Sequence, residues 1–495
     1  MLYYTKMKYR PSPRFLKIML PACTLLAALI FGVLPDLKEA DARATPGEIV
    51  LPDKKPFSQT AATTRPISSI SRVARGNDLL KEGWENLMAW EYNPWKKPKS
   101  FPGDHYRSLR ESNDPVDRAR AKEMARLAQV WHDRLMERYP ELAVTPRPVP
   151  DERNAFLQWV EFYELMKALA KGTDKAPNIA LPKEIEDLYI NRKTGAVWSA
   201  DAARGWLESH RPLMDKLRTM GLMTEVSSTG IEAGRYSFLH GYLVNQCMTA
   251  LTMEGRLAAE SGDTTAALES IRAAKGFADH LVQIESPTLL GKTVQFMMQW
   301  DLERRVLTEI LPSLPAGSRD IAAWETIVNP TPHTPAEFAR MMKGEWSTAI
   351  REWILPPVLD PGDPKRPPDG GALLDAFTRP YAELVRTAQT AKPGDGIPTR
   401  FDAEAASAGL SRESREMLTV LWGGTEWWGK GMGRMEQIPA LSRAAFAVLK
   451  GGPMPVDPIH GQPYQWDPVS RTLSMPAGPE FDRLEIKPIV LPKLK

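Results

Sequence analysis

Across residues 239–306 the apolar side chains recur every three or four positions through three successive segments, with only short turns between them. Leu239, Leu243, Cys247, Met248 and Leu251 share one side of the first segment, which continues to Ser261. Gly262 offers a permissive backbone for a stop, and Asp263 stands where a helix cap is favoured. The second stripe is Leu268, Ile271, Ala274, Ala278 and Leu281. A third helix opens at Ser286-Pro287 and carries Leu290, Val294, Met298, Leu302 and Val306 along one ridge. Helices joined this tightly lie roughly antiparallel and bury their stripes on one another. The spacing therefore predicts an all-α fold of antiparallel helical hairpins, a repeat-like bundle or a solenoid.

The rest of residues 77–450 extends that pattern. The 44 prolines are close to twice the usual share of about 5%, and they cluster at 139–151, 355–371, 392–398 and from 451 onward. Helix interiors need the amide that proline lacks, so these stretches are loops or extended segments. Between them, Asp114-Pro115 opens a helix towards Arg138, and residues 151–171 form another with Gly172 at its end. Residues 199–221 hold one helix or two, broken at Pro212. In "TPAEFARMM", Thr334, Pro335 and Glu337 make a complete capping box. The Pro-rich tail, 451–495, reads as a small β appendage, with "PYQWDPVSRTLSMP" as its hairpin. "EIVLPDKK" (48–55) recurs as "PIVLPKLK" (488–495), either as two edge strands that pair or as two extended apolar ends.

The N-terminus reads as an address. Lys6, Lys8, Arg10, Arg14 and Lys17 precede an uncharged run over 18–34, and small-residue cleavage patterns follow at Ala40-Asp41-Ala42 and Ala42-Arg43-Ala44. This is an export signal over residues 1–42, cleaved or kept as an N-terminal anchor, with the bulk of the chain outside the cytoplasm. Membrane contact is expected only through this segment. Residues 43–76, rich in Thr, Ser, Ala and Pro, form a flexible linker. Cys23 belongs to the apolar run, so the mature chain keeps only Cys247 and must be stabilised by packing without an internal disulfide.

Charge and motifs exclude several classes. Beyond residue 42 the acidic and basic side chains balance at 58 each, so the basic excess of a nucleic-acid binder is missing. There is no Gly-x-Ser-x-Gly elbow and no His-Glu-x-x-His helix, and the seven histidines are dispersed with no two at helical ligand spacing. "GTEWWGKG" (424–431) approaches a phosphate loop, but Gly431 stands where Ser or Thr would hold magnesium and two tryptophans fill a loop that needs compact residues. Neither a metal nor another cofactor is expected.

Two short stretches resemble known families. "SGDTTAALESIRAAKGFAD", with Gly262, Asp263, Ala266, Ala267 and Leu268, is similar to the middle of a tetratricopeptide repeat, although no second copy recurs at a fixed period. That resemblance implies peptide or protein binding on a helical surface. "DPIHGQPYQWDP" resembles the Asp-Pro-x-x-Gly-x-Pro-Tyr segment of type II secretion pseudopilins through Asp457, Pro458, Gly461, Pro463 and Tyr464. The pilin processing motif is absent, so the likeness implies a folded turn and no pseudopilin role.

Two functional readings follow. In the first, an exported, non-enzymatic scaffold or binding module of the bacterial cell envelope grips an envelope protein or glycan, and the aromatic, locally basic loop Trp422, Trp427, Trp428, Lys430 and Arg434 is the candidate contact. In the second, a helical, toroid-like glycan hydrolase or lyase uses carboxylates beside tryptophans, with Asp301, Glu345 and Glu426 as candidates. The first expects no converging carboxylates; the second needs two acids and a tryptophan in one cleft. "EFYE", with Glu161 and Glu164, reads as a solvated helix edge.

Overall fold

The computed structural model describes residues 109, 112–170, 179–229, 241–328, 334–350, 354–360, 367–391, 403–422 and 425–493, without the side chains at 167–170, 241, 356–357, 403–404, 419–422 and 425–432. All of them belong to the compact unit Leu79–Lys495. The export signal, the linker and "EIVLPDKK" lie outside the described residues.

The chain is mainly helical, with one small antiparallel sheet. Helix α1 spans Pro115–Arg138 and opens as the cap rule predicts: Asp114 accepts from the Val116 amide and proline takes the first turn. The helix expected from 151 is divided. A single 3₁₀ turn, Asp151–Arg153, precedes α2 (Ala155–Ala170). Asn154 causes the break, because its Oδ1 accepts from the amides of Phe156 and Ser227 while its Nδ2 donates to the Ser227 carbonyl. The 199–221 stretch splits at Pro212 into α3 (Ala200–Ser209) and α4 (Arg211–Leu222).

Helices α5 (Gly241–Glu260) and α6 (Thr264–His280) form the hairpin expected from the apolar stripes. Gly262 sits at φ +83°, where a side chain would be strained, and the Asp263 side chain accepts from the Ala266 amide at 3.0 Å. Helix α4 crosses α6 at glycines: a Cβ at Gly276 would lie 1.8 Å from the Gly221 carbonyl oxygen, so the two backbones touch directly. The third helix, α7 (Leu289–Arg305), starts later than Ser286-Pro287 because Thr288 is its cap, accepting from Gly291. Its expected ridge is buried throughout.

Helices α8 (Ile321–Val328), α9 (Pro335–Ala349), α10 (Gly370–Thr390), α11 (Arg412–Trp422) and α12 (Thr425–Lys450) complete the set of longer helices. The capping box at the start of α9 is formed by Thr334 and Glu337. Helices α1, α9, α10 and α11 share an apolar core built on Phe338, Trp346, Phe377, Tyr381 and Leu418. In the tail, β1 (Gln465–Asp467) pairs with β2 (Thr472–Ser474), and β3 (Ile489–Val490) pairs with β2 at Thr472 and Leu473. Among the described residues the "PIVLPKLK" segment therefore extends the tail's own hairpin. The segment resembling pseudopilins is a tight turn: the Asp457 carboxylate accepts from the amides of Ile459, His460 and Gln462, and Gly461 takes a positive φ of 69°.

Candidate functional site

Helix α7 is enclosed by α5, α6, α8, α9 and α12, yet its sequence "LLGKTVQFMMQWDLERR" is half polar. Lys292, Thr293, Gln295, Gln299, Asp301, Glu303 and Arg305 are all buried. Burying a polar group without a partner costs several kcal/mol, so each of these side chains either finds a partner or marks a place where something else belongs.

At the C-terminal end the partners are present. Arg305, 3% exposed, forms an ion pair with Asp301 and lies 4.2 Å from the centre of the Tyr189 ring. Asp301 also accepts from Arg192 at 3.1 Å and from Arg304 at 3.2 Å. Burial alone would raise the Asp301 carboxyl; the charges of Arg305, Arg192 and Arg304 outweigh it and hold the group below its ordinary value. The Tyr189 hydroxyl donates to Glu309 at 2.5 Å, and Arg256 bridges both groups while stacking 4.4 Å from the Trp198 ring centre. Tyr189 and Glu309 each ride on a single π-helical turn, Glu186–Ile190 and Val306–Ile310. The wider turn re-aims both side chains into the network.

The N-terminal end is different. Glu345 of α9 accepts from the Leu289 amide at 3.0 Å and so caps α7, and burial raises its carboxyl. One residue earlier, Gly344 packs so closely that a Cβ would lie 2.2 Å from the Pro287 carbonyl oxygen. Two cations stand on these two helices, Lys292 on α7 and Arg340 on α9. Lys292, 7% exposed, makes no hydrogen bond or ion pair among the described residues, and the Nε of Arg340 is buried with no hydrogen-bond partner. Burial pushes the Lys292 ammonium down, and the positive charges of Arg340 and Lys275 oppose the pull of Glu337 and Asp279. The surrounding cations are already engaged: Lys275 with Asp279, and Arg147 with the carbonyls of Val226 and Gln283 beside Glu285. Glu285 in turn accepts from the hydroxyls of Ser227 and Ser228.

Two buried carboxyls stand apart from these ends. Glu303, 2% exposed, is raised to about 8 by burial, with its Oε2 unpartnered. Glu161 is 3% exposed, both of its oxygens lack hydrogen-bond partners, and burial raises it to about 7. The reading of Glu161 as a solvated edge is therefore corrected: α4 covers that face of α2. Cys247 is fully buried and burial raises its thiol, which suits a core residue.

The structure separates the carboxylates proposed to act together. Glu345 sits on the first residue of α7 and Asp301 twelve residues further on, about 18 Å along the axis at 1.5 Å per residue. A glycosidase pair needs about 5 to 9.5 Å, and the short aspartate side chain cannot close that gap. The side chain of Glu426 lies outside the described residues, as do those of Trp422, Trp427, Trp428 and Lys430. Their backbone corrects the loop reading all the same: Trp422 ends α11, and Trp427, Trp428, Lys430 and Arg434 belong to α12. The tail packs against α12 at Gly433 and Arg434. Gly433 leaves room for Leu484, whose Cδ2 would be 3.0 Å from a Cβ there, and the Arg434 Nε donates to the Leu484 carbonyl at 2.5 Å. Arg434 thus fastens the tail.

Sequence reasoning missed Lys292, Arg340 and the Tyr189–Glu309 pair. The one available signal was Lys292, set between the ridge residues Leu290 and Val294 in the first turn of α7. Among the described residues no group of three or more His, Cys, Asp or Glu is placed to hold a metal, and no helix is long and apolar enough to cross a membrane. No protein-family model, curated protein or solved structure matches the chain.

Proposed function

We propose that this chain is an exported helical binding module of the cell envelope, a scaffold of antiparallel hairpins that holds its ligand without transforming it. The observation that carries this reading is the placement of two of the three acidic candidates, Asp301 and Glu345. Asp301 is bound into a cluster of three arginines and Glu345 caps a helix, at opposite ends of α7. A carboxylate held ionised by several guanidinium groups is a poor proton donor, and one engaged with a backbone amide is poorly placed to attack. Positive charge ahead of the apolar run over 18–34 supports export.

Two experiments test the proposal. A C-terminal alkaline phosphatase fusion reads export, because the enzyme folds with its disulfides only outside the cytoplasm; an inactive fusion at normal expression overturns export. Co-sedimentation of the purified full chain with cell-wall glycan or with isolated envelope proteins reads binding. Retention with no reducing sugar released is the expected result, and sugar release that is lost in Glu345→Gln overturns the non-catalytic reading.

A further inference from the structure

We infer that the slot holding β3 is a strand-binding site that reads the word Ile-x-Leu-Pro, and that its second ligand is residues 49–52 of another copy of the chain. The inference goes beyond the binding-module reading and does not depend on what that module holds. Strand β3 shows what the slot reads. Ile489 and Leu491, alternate residues, are 7% and 1% exposed, while Val490 between them is 61% exposed. On the backbone, the Leu491 amide donates to the Arg471 carbonyl at 2.8 Å. The Arg471 guanidinium donates in return, from Nε to the Leu491 carbonyl at 3.0 Å and from Nη2 to the Pro492 carbonyl at 2.8 Å. Arg471 reaches both from a backbone at φ +54°, a conformation that residues with side chains seldom adopt. Main-chain bonds combined with buried side chains on alternate residues are the means by which a sheet accepts a peptide strand.

The chain contains this word a second time. Residues 49–52 are Ile-Val-Leu-Pro, identical to 489–492. Ile49, Leu51 and Pro52 thus offer the same side chains and carbonyls that the slot engages in β3. The flanking residues differ, Glu48 for Pro488 and Asp53 for Lys493, and in the tail both of those positions are exposed. The slot therefore meets the same surface from either word. Strand β3 has the advantage of its tether, which gives it an effective concentration in the millimolar range. It pairs over only two residues, however, so its release is a local opening and leaves the helices folded. Exchange of β3 for the word of a second copy then joins two chains through contacts that the slot already makes.

Cross-linking between full-length chains tests the inference. Leu491 and Arg471 share an interstrand hydrogen bond, so the adjoining pair, Thr472 and Val490, is of the non-hydrogen-bonded kind. Such pairs have Cα atoms about 4.5 Å apart, within disulfide range. Val50 takes the place of Val490 on exchange. A chain carrying Val50→Cys is mixed with one carrying Thr472→Cys and oxidised, and the linked peptides are identified by mass spectrometry. The expected product is a dimer joined through positions 50 and 472. Adding Leu51→Asp to the first chain removes it. Adding Leu491→Asp to the second loosens β3 and raises the yield at least about fivefold, because the tethered competitor is weakened. The first mixture has an unaltered β3, so it stands as a test even where Leu491→Asp fails to fold. Absence of the 50–472 product, a product indifferent to Leu51→Asp, or an equal yield with Asp53→Cys in place of Val50→Cys overturns the inference.

Discussion

Replacing Asp301 by alanine is expected to cost several kcal/mol of stability. Among the described residues the carboxylate is the only acidic partner of Arg305, whose side chain is 3% exposed. After its removal the guanidinium keeps two long contacts, to the Thr249 hydroxyl at 3.4 Å and the Tyr189 carbonyl at 3.5 Å, together with the face of the Tyr189 ring. Arginine cannot lose its proton to escape the penalty. Breaking a buried pair from one side costs about 3–5 kcal/mol. Arg192 and Arg304 contribute little to that figure, because their side chains are 59% and 45% exposed and regain water when released. The double variant Asp301→Leu with Arg305→Met removes both charges and fills the space, so it recovers most of the loss. Urea unfolding followed by circular dichroism gives the comparison, with the slope checked for two-state behaviour. A loss below about 1 kcal/mol in Asp301→Ala, or a double variant no better than the single, refutes the assignment of Asp301 to structure.

Three further outcomes follow from the geometry. Glu161 has a folded-state pKa near 7 against an ordinary value of 4.5, so its protonated form is the one the fold prefers; that stability is full below pH 4.5 and is lost as pH rises to about 7. Glu161→Gln should therefore match wild type in thermal unfolding at pH 4.5 and melt higher at pH 8, and an equal difference at both pH values contradicts the burial argument. Gly276→Ala forces a methyl to within 1.8 Å of the Gly221 carbonyl oxygen, and urea unfolding should show a loss of about 1–3 kcal/mol as α4 and α6 separate. Asp263→Ala removes the cap that receives the Ala266 amide and should cost about 1 kcal/mol, read as earlier fraying of α6 in hydrogen exchange.

Local signals in the sequence reached as far as local physics does. The caps at Asp114, Asp263 and Thr334, the stop at Gly262 and the break at Pro212 all depend on backbone groups within a turn, and each is where the pattern placed it. The tail hairpin was legible for the same reason. Helix α7 was half legible: period 3.6 finds the apolar ridge, but the polar residues between its members look solvent-facing until five helices, neighbours in sequence together with α9 and α12 from further along the chain, enclose them. Glu161 was misread in the same way, because α4 supplies the cover. The start of α12 failed for the opposite reason. Its glycines argue for a loop, whereas at Gly433 and Arg434 the tail packs on the helix through Leu484 and the Arg434 hydrogen bond to its carbonyl. The π-helical turns at Glu186–Ile190 and Val306–Ile310 leave no mark in composition, since they answer to the Tyr189–Glu309 contact between them.

The most direct measurement is to mix the full chain with a fluorescently labelled ladder of cell-wall glycan strands and follow anisotropy and strand length together in one sample. A binding module raises the anisotropy of the strands it takes and leaves the ladder unchanged over hours. A ladder that shortens with time, and stops shortening in Glu345→Gln or Asp301→Asn proteins that still fold, contradicts the account and makes the chain an enzyme.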